Sequence, residues 1–205
     1  LADNGWMAFV ADGSMLARLS GVSQLPMEDA VAFESPESLR REVTLPHAGL
    51  VRGMAIEPGV TVIVGGGYHG KSTLLNALQR GVYAHIPGDG RELVATVDDA
   101  VKVRAADGRA VTGVDVSPLI TELPGGADTA RFTTENASGS TSQAASIMEA
   151  IELGTRLLLI DEDSSASNLL MRDSRMRTLV ESEPITPLVD RIRALADTGG
   201  VSTLI

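Results

Sequence analysis

Four residues in fixed spacing carry the first chemical signal in this chain. Gly65, Gly70, Lys71 and Ser72 match G-x-x-x-x-G-K-[ST], the phosphate-binding loop pattern. Glycines let backbone N–H groups wrap a polyphosphate where side chains would collide. The loop runs Gly65, Gly66, Gly67, Tyr68, His69, Gly70, Lys71, Ser72, Thr73, and all nine are candidate nucleotide contacts. Lys71 is placed to reach the β- and γ-phosphates, and the Ser72 hydroxyl to ligate Mg²⁺. A second signal lies downstream, where Arg156 to Ile160 reads as a buried-type strand followed by Asp161 and Glu162. Carboxylates at the end of a buried strand suit a metal-bound water and an attacking water: Asp161 for Mg²⁺, Glu162 to orient or deprotonate the nucleophile. Between them, Ser138, Gly139 and Ser140 precede a helical pattern formed by Ala144, Ile147, Met148 and Ile151. Small hydroxyls and exposed N–H groups there make a second potential phosphate contact. The competing reading is plain N-capping by Ser or Thr.

These groups need elements to hold them. Thr61 to Val64 reads as the strand entering the glycine loop, and the helix leaving it runs to about Arg80, with Gly81 as its C-terminal stop. Residues 1–22 read as a β-hairpin turning at Ala11 to Ser14. Arg41 to Leu45 and Val51 to Ile56 read as a second antiparallel pair. Leu93 to Val97 reads as a strand. Ala100 to Ala105 and Ala110 to Val116 read as a hairpin about Asp107-Gly108. A helix with Arg172, Arg175 and Arg177 on polar positions is expected after Asn168, another from Thr186-Pro187 to about Asp197, and a strand from Val201 to Ile205. The expected fold class is an α/β P-loop NTPase with an antiparallel β subdomain over residues 1–58 and the nucleotide-binding core over 59–205.

Other polar and aromatic residues have two readings each. Trp6, Phe9 and Phe33 suit either core packing or an adenine ring. Tyr83, His85, Asp89 and Arg91, in the turn-rich stretch 81–92, suit a nucleotide-sensing loop or an ordinary surface loop. Lys102 and Arg104 alternate with Val101 and Val103, as a solvated strand face or a polyanion contact would. Asp115 is a further candidate near Mg²⁺.

Bulk properties narrow the class. The 205 residues are 43% hydrophobic, enough for a packed core, and the net charge of −10 does not advertise a nucleic-acid surface. With no cysteine, disulfides and thiolate metal sites are excluded. No apolar run reaches the roughly 18 residues of a membrane span. The expectation is a soluble intracellular protein, cytoplasmic or organellar such as mitochondrial, not secreted, with no membrane partner. Both ends read as cut from a longer chain.

The order phosphate loop, Ser-Gly cluster on a helix, acidic strand end resembles an ATP-binding cassette ATPase. More closely, GGGYHGKSTLLNAL, HIPGDGRE, ENASGSTSQAA and LLLIDED resemble the group known as predicted ATPases of the ABC class. That resemblance implies ATP and Mg²⁺ as cofactors and a head-to-tail homodimer. In such a dimer Ser138, Gly139 and Ser140 meet the γ-phosphate held by a partner's loop, and Ser164 to Asn168 form the D-loop. It implies an ATPase whose cycle couples to RNA or other nucleic acid; the alternative is a nucleotide-gated protein-interaction scaffold within a protein complex, with little turnover. The chain departs from the wider family pattern at Ser140, which replaces the second signature glycine, and at Gln143, two positions late. Gln79 is the only glutamine between Lys71 and Ser138, so no Q-loop equivalent is identified. The switch histidine is expected beyond Ile205.

Overall fold

The computed structural model describes residues 1–173 and 183–205. The chain divides into two compact units, Leu1–Ala100 and Val101–Ile205.

The first unit is built on an antiparallel sheet. Its strands are β1 (Ala8–Ala11), β2 (Arg40–Leu45), β3 (Gly49–Ile56) and, beyond the two-residue β4 (Val60–Thr61), β5 (Val94–Thr96). The order is β2-β3-β1-β5. Every residue of β1 is buried, which marks a central strand with both faces covered. Its two edges are taken by β3, with Ala11 opposite Gly53, and by β5, with Phe9 opposite Ala95. This corrects the expected hairpin over residues 1–22. A turn does form, with Gly13 at φ 86° and Ser14 N–H donating to the Ala11 carbonyl. Beyond it the chain leaves the sheet, and Met15 N–H donates to Gly90 O at 2.7 Å. The β2–β3 hairpin forms as expected, and its register places Leu45 opposite Gly49. Trp6 and Phe9 stack on one another, centroids 5.5 Å apart and planes 10° apart, within an apolar cluster that includes Ala11 and Ala55.

Helix α1 (Lys71–Arg80) buries Leu75, Ala77 and Leu78. Thr96 Oγ1 donates to the Leu78 carbonyl at 2.7 Å, fastening the helix to β5. Gly81 follows with an ordinary right-handed φ of −65°. Its requirement for glycine is close approach instead: a Cβ there would stand 2.8 Å from Thr96 Oγ1. The strand expected over Thr61 to Val64 ends at Thr61, and Val62 and Val64 are exposed. The apolar run is real, but the backbone peels away from regular pairing before the loop begins.

The second unit holds a parallel sheet: β6 (Val101–Val103), β9 (Leu157–Ile160) and β10 (Ser202–Leu204), with β9 central. All four residues of β9 are buried. Between β6 and β9 come the antiparallel pair β7 (Val111–Val114) and β8 (Phe132–Thr134), then helix α2 (Gly139–Glu152). Short helices α3 (Ser167–Leu170) and α4 (Ile192–Asp197) follow. Ala144, Ala145, Ile147 and Ala150 of α2 pack against Val103, Leu158 and Ile160. The hairpin expected about Asp107-Gly108 is corrected. The turn exists, with Gly108 at φ 83°, yet β6 pairs with β9 and β7 with β8. The turn is stitched instead to the segment ahead of α2: Gly108 N–H donates to Ala137 O, and Ala137 N–H to Arg109 O, both at 2.9 Å. The expected helix from Thr186 is also shorter, a 3₁₀ turn over Leu188–Asp190 followed by α4. Arg172 pairs with Glu183, while Arg175 and Arg177 lie outside the described residues. No helix among the described residues is long and apolar enough to cross a membrane.

Candidate nucleotide site

The glycine loop is shaped by local sequence. Gly70, at φ 84°, is the N-cap of α1, a left-handed conformation that glycine adopts without steric cost. Tyr68 also has a positive φ, 61°, and its ring is fully exposed. His69 lies over Gly66, where a Cβ would come within 3.2 Å of the imidazole. Lys71 Nζ reaches back across the loop to the carbonyls of Gly65 at 2.7 Å and Gly66 at 3.2 Å. The lysine, the glycines and the Ser72 and Thr73 hydroxyls therefore share one corner of the first unit.

The loop fits an anion. A Cβ built on Gly67 or Gly70 meets nothing within 4 Å, so the loop borders open space rather than packed protein. No side chain caps α1 and its first turn holds no acidic residue. The partial positive charge of the helix end is thus left for an external acceptor. Ser72, in that first turn, offers a hydroxyl suited to a hard cation whose other ligands are phosphate oxygens and water.

In the second unit the Ser-Gly cluster opens α2. Ser138 is the N-cap, its Oγ accepting from Thr141 N–H at 3.4 Å. The hydroxyls of Ser138 and Ser140 are 3.4 Å apart. The Asp107-Gly108 turn holds this end in place: a Cβ on Gly139 would stand 3.1 Å from Asp107 Oδ1. Ser142 Oγ accepts from Ala106 N–H and donates to Gly139 O, each at 2.9 Å. The cap reading and the phosphate reading are compatible, because Ser138 stays exposed while it caps.

At the end of β9, Asp161 begins a 3₁₀ turn over Glu162–Ser164. Its carbonyl accepts from the Ser165 hydroxyl at 2.8 Å. Its carboxylate faces Lys102 of β6, Nζ to Oδ2 3.4 Å, with both side chains largely buried. Lys102 is therefore no solvated strand face. Glu162 is exposed. Asp115 is held locally: Ser117 N–H donates to its Oδ1 at 2.9 Å. Hydrogen bonds from the Ser117 side chain and backbone keep its carboxyl below the ordinary 3.8.

With this geometry established, comparison with known proteins decides the family. A family model described as the P-loop domain of ABC ATPases matches residues 1–205. The chain belongs to the ABC ATPases. It is 34% identical over 184 residues to an uncharacterized protein of Methanocaldococcus jannaschii, an alignment covering 83% of this chain. The chain spans 40% of that relative's length.

This ABC ATPase domain contains a residue whose role its sequence position conceals. Gln143 is 1% exposed. Its Nε2 donates to Ser165 Oγ at 2.9 Å and its Oε1 accepts from Ala166 N–H at 2.8 Å. Helix α2 is thus tied to the turn after β9 by one side-chain amide. The signal available in sequence was a glutamine beside Ala144 on an otherwise apolar face. Lys102 was hidden in the same way, by strand alternation that says which face a residue takes but not what stands opposite.

Proposed function

We propose that this ABC ATPase domain binds Mg·ATP on the Gly65–Thr73 loop and hydrolyses it in head-to-tail pairs, each copy closing its Ser138–Ser140 helix end over the partner's nucleotide. The carrying observation is the state of the two helix ends. α1 has no side-chain cap and no acid in its first turn, and α2 is firmly positioned yet leaves Ser138 exposed. Two such ends facing one triphosphate spread its charge over preorganised N–H groups and hydroxyls. In the first unit Lys71 would reach the β- and γ-phosphates and Ser72 would offer a hydroxyl to magnesium; in the second, Asp161 and Glu162 supply the acidic pair suited to a metal-bound water and an attacking water. Magnesium, when bound, neutralises charge developing on the phosphate oxygens.

The test is Glu162→Gln. ATP binding is expected to persist, phosphate release to fall at least 100-fold, the size of a lost general base, and a dimer to accumulate by light scattering with ATP. Unchanged turnover removes Glu162 from the mechanism, and a nucleotide-independent monomer removes the composite site. We assign the cycle's output to single-stranded RNA by kinship with cassette ATPases that act on nucleic acid, an analogy rather than a geometric argument. Retention of such RNA on a filter is expected to fall with salt, and no salt-sensitive retention ends that assignment.

A further inference from the structure

The first unit holds a cationic cavity whose lining, Thr73 apart, lies outside the nucleotide loop. Its volume is about 300 Å³, and a second space of about 240 Å³ shares Arg18, Gln24 and Arg80 with it. Three guanidinium groups meet there: Arg18 from the segment after β1, Arg80 at the end of α1, and Arg91 just before β5.

Arg91 is 3% exposed, and the hydrogen bonds it makes among the described residues all go to one neutral carbonyl, that of Leu16, from Nε and Nη2. Arg18 holds Asp89 through both carboxylate oxygens at 3.0 Å, and His85 Nδ1 lies 2.5 Å from the same carboxylate. That one acidic group is fully engaged. Arg18 Nε is a buried donor with no hydrogen-bond partner among the described residues, and the buried ring nitrogen His85 Nε2 has none there either. The Arg18 side chain is 9% exposed. Two buried guanidinium groups, Arg18 and Arg91, stand against one carboxylate with the exposed Arg80 beside them, and buried charge in excess of its partners is retained where something pairs it.

We propose that this cavity binds a phosphate-type oxyanion through Arg18, Arg80 and Arg91. Guanidinium forks match phosphate oxygens in geometry as well as charge. The remaining lining includes Gln24, Thr73 and Asn76, which suits the sugar-like body of a phosphorylated ligand. Electrostatics agree: burial first, then the neighbouring Arg18 and Arg80, lower Arg91 from the usual arginine range to about 10 against the pull of Asp89. An anion relieves that repulsion. Thr73 lies two positions after Lys71, so the phosphate has two sources: a ligand of its own, or the nucleotide held by the loop.

Calorimetric titrations with inorganic phosphate and with ATP separate the sources, using Arg80→Glu and Arg18→Gln in both the wild-type and Lys71→Ala backgrounds. Arg80 is exposed at the end of α1, so its substitution does not test folding. A separate ligand predicts that phosphate still binds Lys71→Ala and binds at least tenfold more weakly when Arg80→Glu is added. A shared nucleotide predicts no phosphate binding to Lys71→Ala and ATP binding at least tenfold weaker in Arg80→Glu alone. Phosphate and ATP affinities both within twofold of wild type in Arg80→Glu and in Arg18→Gln overturn the proposal. They do so whatever the loop itself binds.

Discussion

Gln143 and Ser165 are joined by a hydrogen bond of 2.9 Å between the start of α2 and the turn beyond β9. The same amide accepts from Ala166 N–H at 2.8 Å. Gln143→Ala therefore removes the partner of a backbone donor and of a hydroxyl in one step. The expected loss is about 2 kcal/mol of stability, the cost of leaving partly buried polar groups unpaired. Chemical denaturation checks it. A loss below about 0.5 kcal/mol shows that water replaces the amide without penalty.

Gly53 lies opposite Ala11 in the β1–β3 ladder. A Cβ there would stand 2.4 Å from Val10 O and 2.6 Å from Phe9 Cζ. Because the nearest atom is backbone in a central strand, it has little room to yield. Gly53→Ala is expected to cost on the order of 3 kcal/mol or to prevent folding of the first unit. Thermal melting measures it, and an unchanged midpoint contradicts the close approach.

Lys102 Nζ stands 3.4 Å from Asp161 Oδ2. A cation at that carboxylate competes with a metal for the same charge. Lys102→Met is expected to tighten magnesium uptake in the presence of a non-hydrolysable ATP analogue by about threefold or more, given the strength of a unit charge at such range. Weaker uptake instead assigns Lys102 to holding the carboxylate in position.

Asp115 carries a pH signature. Its folded-state pKa lies below 3.8 because Ser117 hydrogen bonds favour the ionised form. A depressed carboxylate adds stability above its unfolded value and loses it as pH falls through the folded one. The window thus opens below about 3.8. Carboxyl NMR is expected to show an Asp115 midpoint below the ordinary value, returning towards it in Ser117→Ala. A midpoint at or above the ordinary value removes the Ser117 interaction.

Legibility tracked the range of the interactions involved. The loop, α1, α2, β9 and the β2–β3 hairpin were readable because their signals are local: glycine spacing, helical period, and a short turn between alternating strands. Two hairpins were misread for a shared reason. The Ala11–Ser14 and Asp107–Gly108 turns both form, but a turn signal reports a reversal of the chain, not which strand lies alongside. β1 is apolar on both faces and takes β3 and β5 as neighbours, and β6 takes β9. Asp89 and Arg91 were read as members of one candidate loop and Arg18 only as part of the expected 1–22 hairpin, since the pairing of Arg18 with Asp89 spans 71 positions.

What residue order alone determined is the chemistry on offer: a glycine loop ending in lysine and serine, a serine-capped helix, and a strand ending in two acids, each a product of neighbours within one element. Tertiary structure alone decided what those groups face. Asp161 meets Lys102, Gln143 meets Ser165, and Arg18 meets Asp89 beside a cavity that Arg80 and Arg91 also line. The physical reason is that charge pairing and burial depend on distance in space, and strand order sets that distance without leaving a periodic trace in the sequence.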